Sequence, residues 1–301
     1  MAEQRVLILG AAGMLGHKVF QAASSRLPDT WGTLRESLTD YPVHGLPAFR
    51  PDRIIEGLEA TALDSVSSLL NRLRPNVVVN CVGIIKQRPL AHDTLESIAI
   101  NSLLPHAVAK KLDEWGGRLI HISTDCVFDG SRGTYTELDV PDARDLYGRT
   151  KTLGEVEGRN ALTLRTSIIG RELRSHKSLL DWFLAQNHAT VSGYQRALWS
   201  GVTSNHLADL IVSLIENHPD LSGLYQVSSG CMSKYDLLTM VRDAYGLDIT
   251  IEPDRTYILD RSLSGAKLKA AIGYSCPPWS ALLSQLTSDP TPYHMPSVTT
   301  T

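Results

Sequence analysis

Near its start the chain passes from a short apolar run, Arg5-Val-Leu-Ile-Leu9, straight into Gly10-Ala-Ala-Gly13-Met-Leu-Gly16. An apolar-periodic stretch from Met14 to about Ser25 follows. A continuous apolar run that ends in glycine reads as a strand buried on both faces. The helical period behind it makes a strand–turn–helix unit. Small residues at such a turn let the backbone bend tightly and approach a pyrophosphate, whose charge the amides and dipole of the helix start favour. The glycines are spaced G-x-x-G-x-x-G, a variant of the usual dinucleotide fingerprint. Gly10, Gly13, Met14, Leu15 and Gly16 are therefore candidate cofactor contacts.

The same alternation continues along the chain. Strands are expected at Asp29 to Leu34, Ile54 to Leu58, Asn76-Val-Val-Val-Asn-Cys81, Arg118-Leu-Ile-His-Ile-Ser123 and Leu162-Thr-Leu-Arg-Thr166. Helices are expected at Ser65 to Leu73, Leu95 to Leu112 and Tyr147 to Gly158. Strands that alternate with helices at this spacing imply a parallel sheet covered on both faces. The expected class is α/β, a doubly wound Rossmann sheet with a smaller C-terminal lobe. Residues 1–168 plus about 200–230, including a helix Leu207 to Glu216 and a strand Gly223 to Val227, are assigned to the dinucleotide-binding domain. About 169–199 plus 231–286 are assigned to the lobe. The Pro-, Ser- and Thr-rich residues 287–301 read as a disordered tail. No internal repeat is seen.

Selection among nicotinamide cofactors depends on the end of the second strand. A lone carboxylate there would bind an adenosine ribose, whereas an arginine suits the 2′-phosphate of NADP. Arg35 is followed at once by Glu36. The bidentate match of guanidinium to phosphate favours NADP through Arg35, with NAD as the other choice and a solvated charge pair as the structural one.

Tyr147-Gly-Arg-Thr-Lys151 opens a predicted helix, so phenol and ammonium share a face. A free tyrosine has a pKa of about 10. A fixed positive charge beside it would bring that pKa toward the working range. The pair lies one element after the strand that ends in Ser123-Thr124-Asp125. Thr124 would thus stand at a strand C-terminus, where open parallel sheets place ligands, with its hydroxyl available to polarise a carbonyl.

Together these segments resemble the extended short-chain dehydrogenase/reductase superfamily and, within it, the dTDP-4-dehydrorhamnose reductase group. The resemblance runs from about Arg5 to Leu286. It is carried by the glycine turn, Asn80-Cys-Val-Gly83, Ser123-Thr-Asp-Cys-Val-Phe-Asp-Gly130, Tyr147-x-x-x-Lys151 and Leu164-Arg-Thr166. It implies a sugar nucleotide in the cleft between a cofactor domain and a small lobe, with hydride transfer from NAD(P)H to the C4 carbonyl of a 4-keto-6-deoxy sugar. Tyr147 would protonate the C4 oxygen and Thr124 would bind it. Lys151 would hold the nicotinamide ribose and lower the tyrosine pKa, and Asn101 would support the site. Cys81, Val82 and Gly83 join the expected cofactor contacts, and Lys86, Asp125, Cys126 and Arg261 the expected substrate contacts. Two departures stand out: Cys126 replaces the tyrosine usual in rhamnose reductases, and Gly83-Ile-Ile-Lys-Gln87 is not their usual loop.

Several positions keep two readings. Cys126 is either a small buried hydrophobe or, as the resemblance to GDP-fucose synthases implies, an acid–base group beside the ketone. Lys86 reaches diphosphate or sugar, or is a solvated loop lysine. Arg261 pairs with diphosphate or forms a structural ion pair. Trp199-Ser-Gly201 positions the base or simply packs. Other function readings are an epimerase or dehydratase with internally recycled cofactor, and a nucleotide-binding regulatory subunit without turnover.

Composition narrows the partners. A formal charge of −3 gives no general pull toward nucleic acid or an anionic membrane. No apolar run approaches the roughly 20 residues of a membrane span. The start has no signal-peptide layout, and Cys81, Cys126, Cys231 and Cys276 form no C-x-x-C pair, so the expected location is cytoplasmic, without disulfide or metal. Residues 94–112 and 147–158 are candidate homodimer helices.

Overall fold

The computed structural model describes residues 4–85 and 93–293. The apolar run at the start forms strand β1 (Val6–Leu9), fully buried. Its alternating side chains supply two cores. Val6 and Ile8 join one apolar cluster, and Leu7 and Leu9 another on the opposite face. Period-2 alternation with both faces apolar is what a parallel sheet between helical layers requires.

In chain order the first half comprises β1, α1 (Gly16–Arg26), β2 (Thr30–Thr33), β3 (Ile54–Ile55), α2 (Leu63–Leu73), β4 (Val77–Asn80), α3 (Thr94–Ile98), α4 (Leu104–Asp113), β5 (Arg118–Thr124), α5 (Leu146–Leu153) and β6 (Ala161–Thr166). The second half adds β7 (Ile168–Ile169), α6 (Leu179–Leu184), β8 (Thr190–Tyr194), β9 (Ala197–Trp199), β10 (Val202–Thr203), α7 (Ser204–Asn217), β11 (Gly223–Gln226), β12 (Met232–Ser233), α8 (Lys234–Tyr245), β13 (Thr250–Asp254), β14 (Leu259–Asp260), α9 (Ala266–Ile272) and α10 (Trp279–Thr287).

Seven strands form one sheet in the order β11-β6-β5-β4-β1-β2-β3, every pair parallel. The chain runs outward from β1 through β2 to β3, then returns to lay β4, β5, β6 and β11 on the other side. The direction therefore reverses between β1 and β4, and the strand ends there open the crevice where such sheets bind ligands. This is the expected doubly wound Rossmann class. Helices α1 and α7 pack together on one face and α2 and α4 on the other.

A third apolar cluster lies outside the sheet, built on Phe183, Trp199, Leu237, Val241, Ile251 and Leu282. Short sheets, β12-β9-β14 and β13-β8, accompany it.

Four local expectations differ from what is seen. The helix expected to reach Gly158 ends at Leu153, and the third strand is two residues long. The long helix is continuous from Thr94 but passes through a π-helical turn, Ala99–Leu103. Residues 287–293, expected to be a disordered tail, are instead pinned. Asp289 ion-pairs with the buried Lys18 of α1 at 2.7 Å and accepts hydrogen bonds from Asn205 (3.0 Å) and the Tyr293 hydroxyl (2.9 Å). Polar composition hid this because Lys18 and Asn205 are distant from Asp289 in sequence. The remaining tail residues, 294–301, lie outside those described.

Removing one member of a buried ion pair leaves the other charge desolvated. Asp289→Ala is therefore expected to lower the unfolding free energy by about 3 kcal/mol in chemical denaturation, more than an exposed substitution would.

Candidate active site

Gly10 adopts φ +80° at the end of β1, a conformation that favours glycine. Its amide donates to the Thr33 hydroxyl of β2 at 3.0 Å, and its carbonyl accepts from Gly13 N at 3.0 Å. A Cβ on Gly16 would lie 2.0 Å from the Gly10 carbonyl oxygen, so this glycine is needed for close packing of helix on strand. Helix α1 starts with no side-chain cap and no acidic residue in its first turn. No side chain or carboxylate of that first turn thus competes with an anion at the helix start, and the turn fits a dinucleotide pyrophosphate. Leu15 is buried, and Met14 packs near Gly170. Beside the turn, the Val82 amide donates to Asn80 Oδ1 at 3.1 Å, and burial pushes the Cys81 thiol up to about 12. Gly83 follows, near Asn101 Oδ1. Lys86 and Gln87 lie outside the described residues.

Thr124 closes β5. Its hydroxyl accepts from the Cys126 amide (3.1 Å), capping the short turn Asp125–Val127, and donates to Asp125 Oδ1 (3.1 Å). Tyr147 is the second residue of α5, whose start is capped by Asp145 accepting from Gly148 N at 2.9 Å. The helix approaches the β5 turn unusually closely. A Cβ on Gly148 would lie 2.4 Å from the Cys126 carbonyl oxygen. That approach brings the Tyr147 phenol into hydrogen-bond contact with Thr124. At its other end, α5 touches the π turn so tightly that a Cβ on Gly154 would fall 1.8 Å from the Asn101 carbonyl oxygen. Asn101 ties these parts together: Oδ1 accepts from Ile84 N (2.9 Å), while Nδ2 donates to Ile84 O (3.2 Å) and Thr150 Oγ1 (3.2 Å). π turns frequently mark functional sites.

Lys151 lies below the tyrosine on the same helix, 4% exposed. Its ammonium donates to the Ile122 carbonyl at 2.7 Å and lies 3.4 Å from His121 Nε2. Burial lowers its pKa to about 8, opposed by the charges of Glu155 and Cys81. His121 is held far below its usual pKa by burial and by Lys151, so it is neutral. The net direction for the phenol is upward, chiefly by burial and then by Cys126, opposite to the lowering expected of Lys151. The two side chains share a helix face, but the ammonium turns to the β5 backbone. Tyr147 is consequently held protonated.

Around this centre, Asp125 is buried and its pKa is raised by desolvation, against the opposing pull of Lys234 and Arg261. Arg261 donates through Nε to the Phe128 carbonyl (2.9 Å), and Nη1 lies 3.4 Å from Cys126 Sγ. It therefore clamps the segment after β14 onto the β5 turn, bordering the cleft through Cys126. Trp199 is buried against Trp279 at 5.5 Å between ring centroids, which is packing. Arg35 is half-exposed and contacts Glu36 at 3.4 Å, and Glu36 also pairs with Arg174.

Sequence reasoning missed four participants. Glu155 and Arg165 form a buried bidentate ion pair, both contacts 2.7 Å, with Ser123 donating to the same carboxylate. His121 and Lys234 are the others. Arg165 stood in a quoted motif and Gly148 inside a helix pattern, and an interior glycine is a usable sign of close backbone approach.

Comparison with known proteins places this geometry. Residues 4–289 match the family model described as RmlD substrate binding domain. The chain belongs to this family. It is 31% identical over 244 residues to a probable dTDP-4,6-dihydroxy-2-methyloxan-3-one 4-ketoreductase of Streptomyces antibioticus, covering 77% of this chain and 74% of that one. It is also 26% identical over 261 residues to methionine adenosyltransferase 2 subunit beta of Mus musculus, covering 81% and 73%. The fold matches a dTDP-4-dehydrorhamnose reductase of Bacillus anthracis solved with NADP, at TM-score 0.75 and 21% identity, over 95% of this chain and 99% of that one. It also matches the Bordetella bronchiseptica enzyme WbmG solved with NAD and UDP, at TM-score 0.76 and 17% identity, over 95% and 94%.

The lowered Lys151 pKa has a consequence for stability. Between about 8 and the ordinary 10.5, the unfolded chain holds this proton and the folded one does not, so stability rises with pH there. In denaturant titrations of the cofactor-free protein, this rise is expected to exceed that of Lys151→Met by up to about 1.4 kcal/mol per pH unit.

Proposed function

We propose that this protein is an NAD(P)H-dependent oxidoreductase of the short-chain dehydrogenase type that reduces the C4 carbonyl of a nucleotide-linked 4-keto-6-deoxy sugar. The observation that carries the reading is the protonated Tyr147 held against Thr124 at the C-terminal end of β5, with Lys151 buried on the same helix. NADP is the favoured cofactor and NAD the other. Support comes from the uncapped start of α1, the glycine turn, and Arg35 at the end of β2.

When bound, the reduced nicotinamide supplies the hydride. The protein's part is to hold the carbonyl and deliver a proton. Tyr147 carries that proton at its phenol oxygen and passes it to the C4 oxygen of the sugar. Thr124 turns its hydroxyl from Asp125 to the same oxygen and stabilises the developing negative charge. Lys151 would hold the nicotinamide ribose, and Asn101 positions the helix and the loop after β4 around it. Asp125, Cys126 and Arg261 border the sugar. The division of labour is the one expected above: residues 1–168 and about 200–230 for the cofactor, about 169–199 and 231–286 for the sugar nucleotide.

The setting that fits is deoxysugar supply for surface polysaccharide, in the cytoplasm. Among the described residues no helix is long and apolar enough to cross a membrane. Exposed Leu95, Leu103 and Leu153, on or beside α3 and α5, support a homodimer through these helices.

A second reading has a specific observation behind it: the likeness to methionine adenosyltransferase subunit beta, named as a subunit. On that reading the cleft would bind nucleotide without turnover. A panel of dTDP-, UDP- and GDP-linked 4-keto-6-deoxy sugars with NADPH or NADH separates the two. Catalysis predicts turnover with one sugar and a loss of about 10²-fold or more in kcat for Tyr147→Phe, with cofactor affinity unchanged. Tight cofactor binding with no consumption of any sugar would move the weight to the regulatory subunit, or to an epimerase or dehydratase that recycles its cofactor internally.

A further inference from the structure

The mechanism above leaves a partly buried lysine unused. Lys234 is the first residue of α8, directly after the capping residue Ser233. Its ammonium lies 4.1 Å from the centroid of the Trp199 ring. Among the described residues, no hydrogen bond or ion pair engages its three N–H donors. Asp125 and Cys126 are the charged or ionisable groups that act on it, and desolvation lowers its pKa to about 8. The residue as a whole keeps intermediate exposure, so it is not sealed in a core.

This position is costly for a purely structural lysine. A cation in the first turn of a helix opposes the macrodipole. Contact with the tryptophan face returns only about 0.5–2 kcal/mol and satisfies no donor. An acceptor supplied by a ligand would satisfy those donors. The neighbours say which part of a ligand that is. Ser233, just before Lys234, pairs with Leu198 of β9. The Leu198 carbonyl accepts from Arg261 N at 3.4 Å, and Arg261 reaches Cys126 Sγ at 3.4 Å, on the turn whose amide donates to Thr124. Lys234 therefore starts its helix beside the turn that carries Thr124, and Asp125 and Cys126 of that turn act on both its ammonium and the Tyr147 phenol. In a nucleotide sugar the diphosphate hangs from C1, across the ring from C4.

We propose that Lys234 is a substrate-binding residue of the small lobe, donating hydrogen bonds to an oxygen substituent of the hexose ring beside the C4 carbonyl, with Trp199 fixing its direction. The assignment rests on the reductase reading and adds a specificity contact to it. Lys234 selects sugars that present an acceptor oxygen at that position.

The test is calorimetric binding to the full-length protein saturated with NADP⁺, which prevents reduction. The probes are the nucleoside-diphosphate sugar that the wild-type protein turns over and the matching nucleoside diphosphate alone. Lys234→Met is expected to weaken the sugar nucleotide by about tenfold or more, a loss of about 1.4 kcal/mol, and to leave the nucleoside diphosphate and NADP⁺ unaffected. Lys234→Arg is expected to recover part of the loss. If Lys234→Met does not fold, Lys234→Gln carries the same comparison. Equal weakening of both probes would place the ammonium on the diphosphate and overturn the ring assignment. Unchanged affinity for both would reduce Lys234 to packing on Trp199. A wild-type protein that binds NADP⁺ but no nucleotide sugar would overturn the reductase reading itself, and this contact with it.

Discussion

The site depends on one close backbone approach, that of α5 to the turn after β5. Gly148 allows it, because any side chain there would strike the Cys126 carbonyl. The approach sets the Tyr147 phenol against the Thr124 hydroxyl, and the same helix carries Lys151 down to the Ile122 carbonyl of β5. The second contact, Gly154 against the Asn101 carbonyl, fixes the other end. With both ends seated, α5 has little freedom to slide. Thr124, Tyr147 and Lys151 are thereby held in a fixed relation to one another, as a preorganised site requires. The Glu155–Arg165 pair, which joins the segment after α5 to β6, adds a third anchor.

Electrostatics then follow from burial. Lys151 and Lys234 both lose solvent and both have lowered pKa values. Asp125 and Tyr147 lose solvent too and are pushed the opposite way, toward their protonated forms. The chain as folded thus holds a proton on Tyr147 and, among the described residues, leaves the Lys234 ammonium without a hydrogen-bond acceptor. Such a site is prepared for an oxygen-rich, anionic ligand. Tyr147 is protonated as folded, so it holds a proton that a reacting carbonyl oxygen could accept.

Much of this was legible in the sequence, for identifiable reasons. The strand–glycine–helix start, the alternation behind it and the Tyr-x-x-x-Lys pair are local patterns whose physics acts over a few residues. Gly10, Gly16, Thr124 and Tyr147 therefore lie where local reasoning puts them. What could not be read depends on residues far apart in the chain. Asp289 is ordered because it meets Lys18, and Arg261 is occupied because the Phe128 carbonyl is at hand. Lys234 looks like an ordinary helix-start residue until Trp199 and Asp125 are placed beside it. The direction of the Tyr147 pKa is also not legible in the sequence, because burial dominates it. Spacing gives a shared helix face, but only the fold reveals that the lysine turns to the β5 backbone.

The most direct test of the central claim follows the hydride itself. The protein would be supplied with reduced nicotinamide cofactor deuterated at the transferring carbon, together with the nucleotide-linked 4-keto-6-deoxy sugar it accepts. The product would then be analysed by NMR. Deuterium at C4 of the sugar, in step with oxidation of the cofactor, is the predicted result. A sugar altered without deuterium and without net oxidation of cofactor, or a sugar bound and left unchanged, would contradict the account.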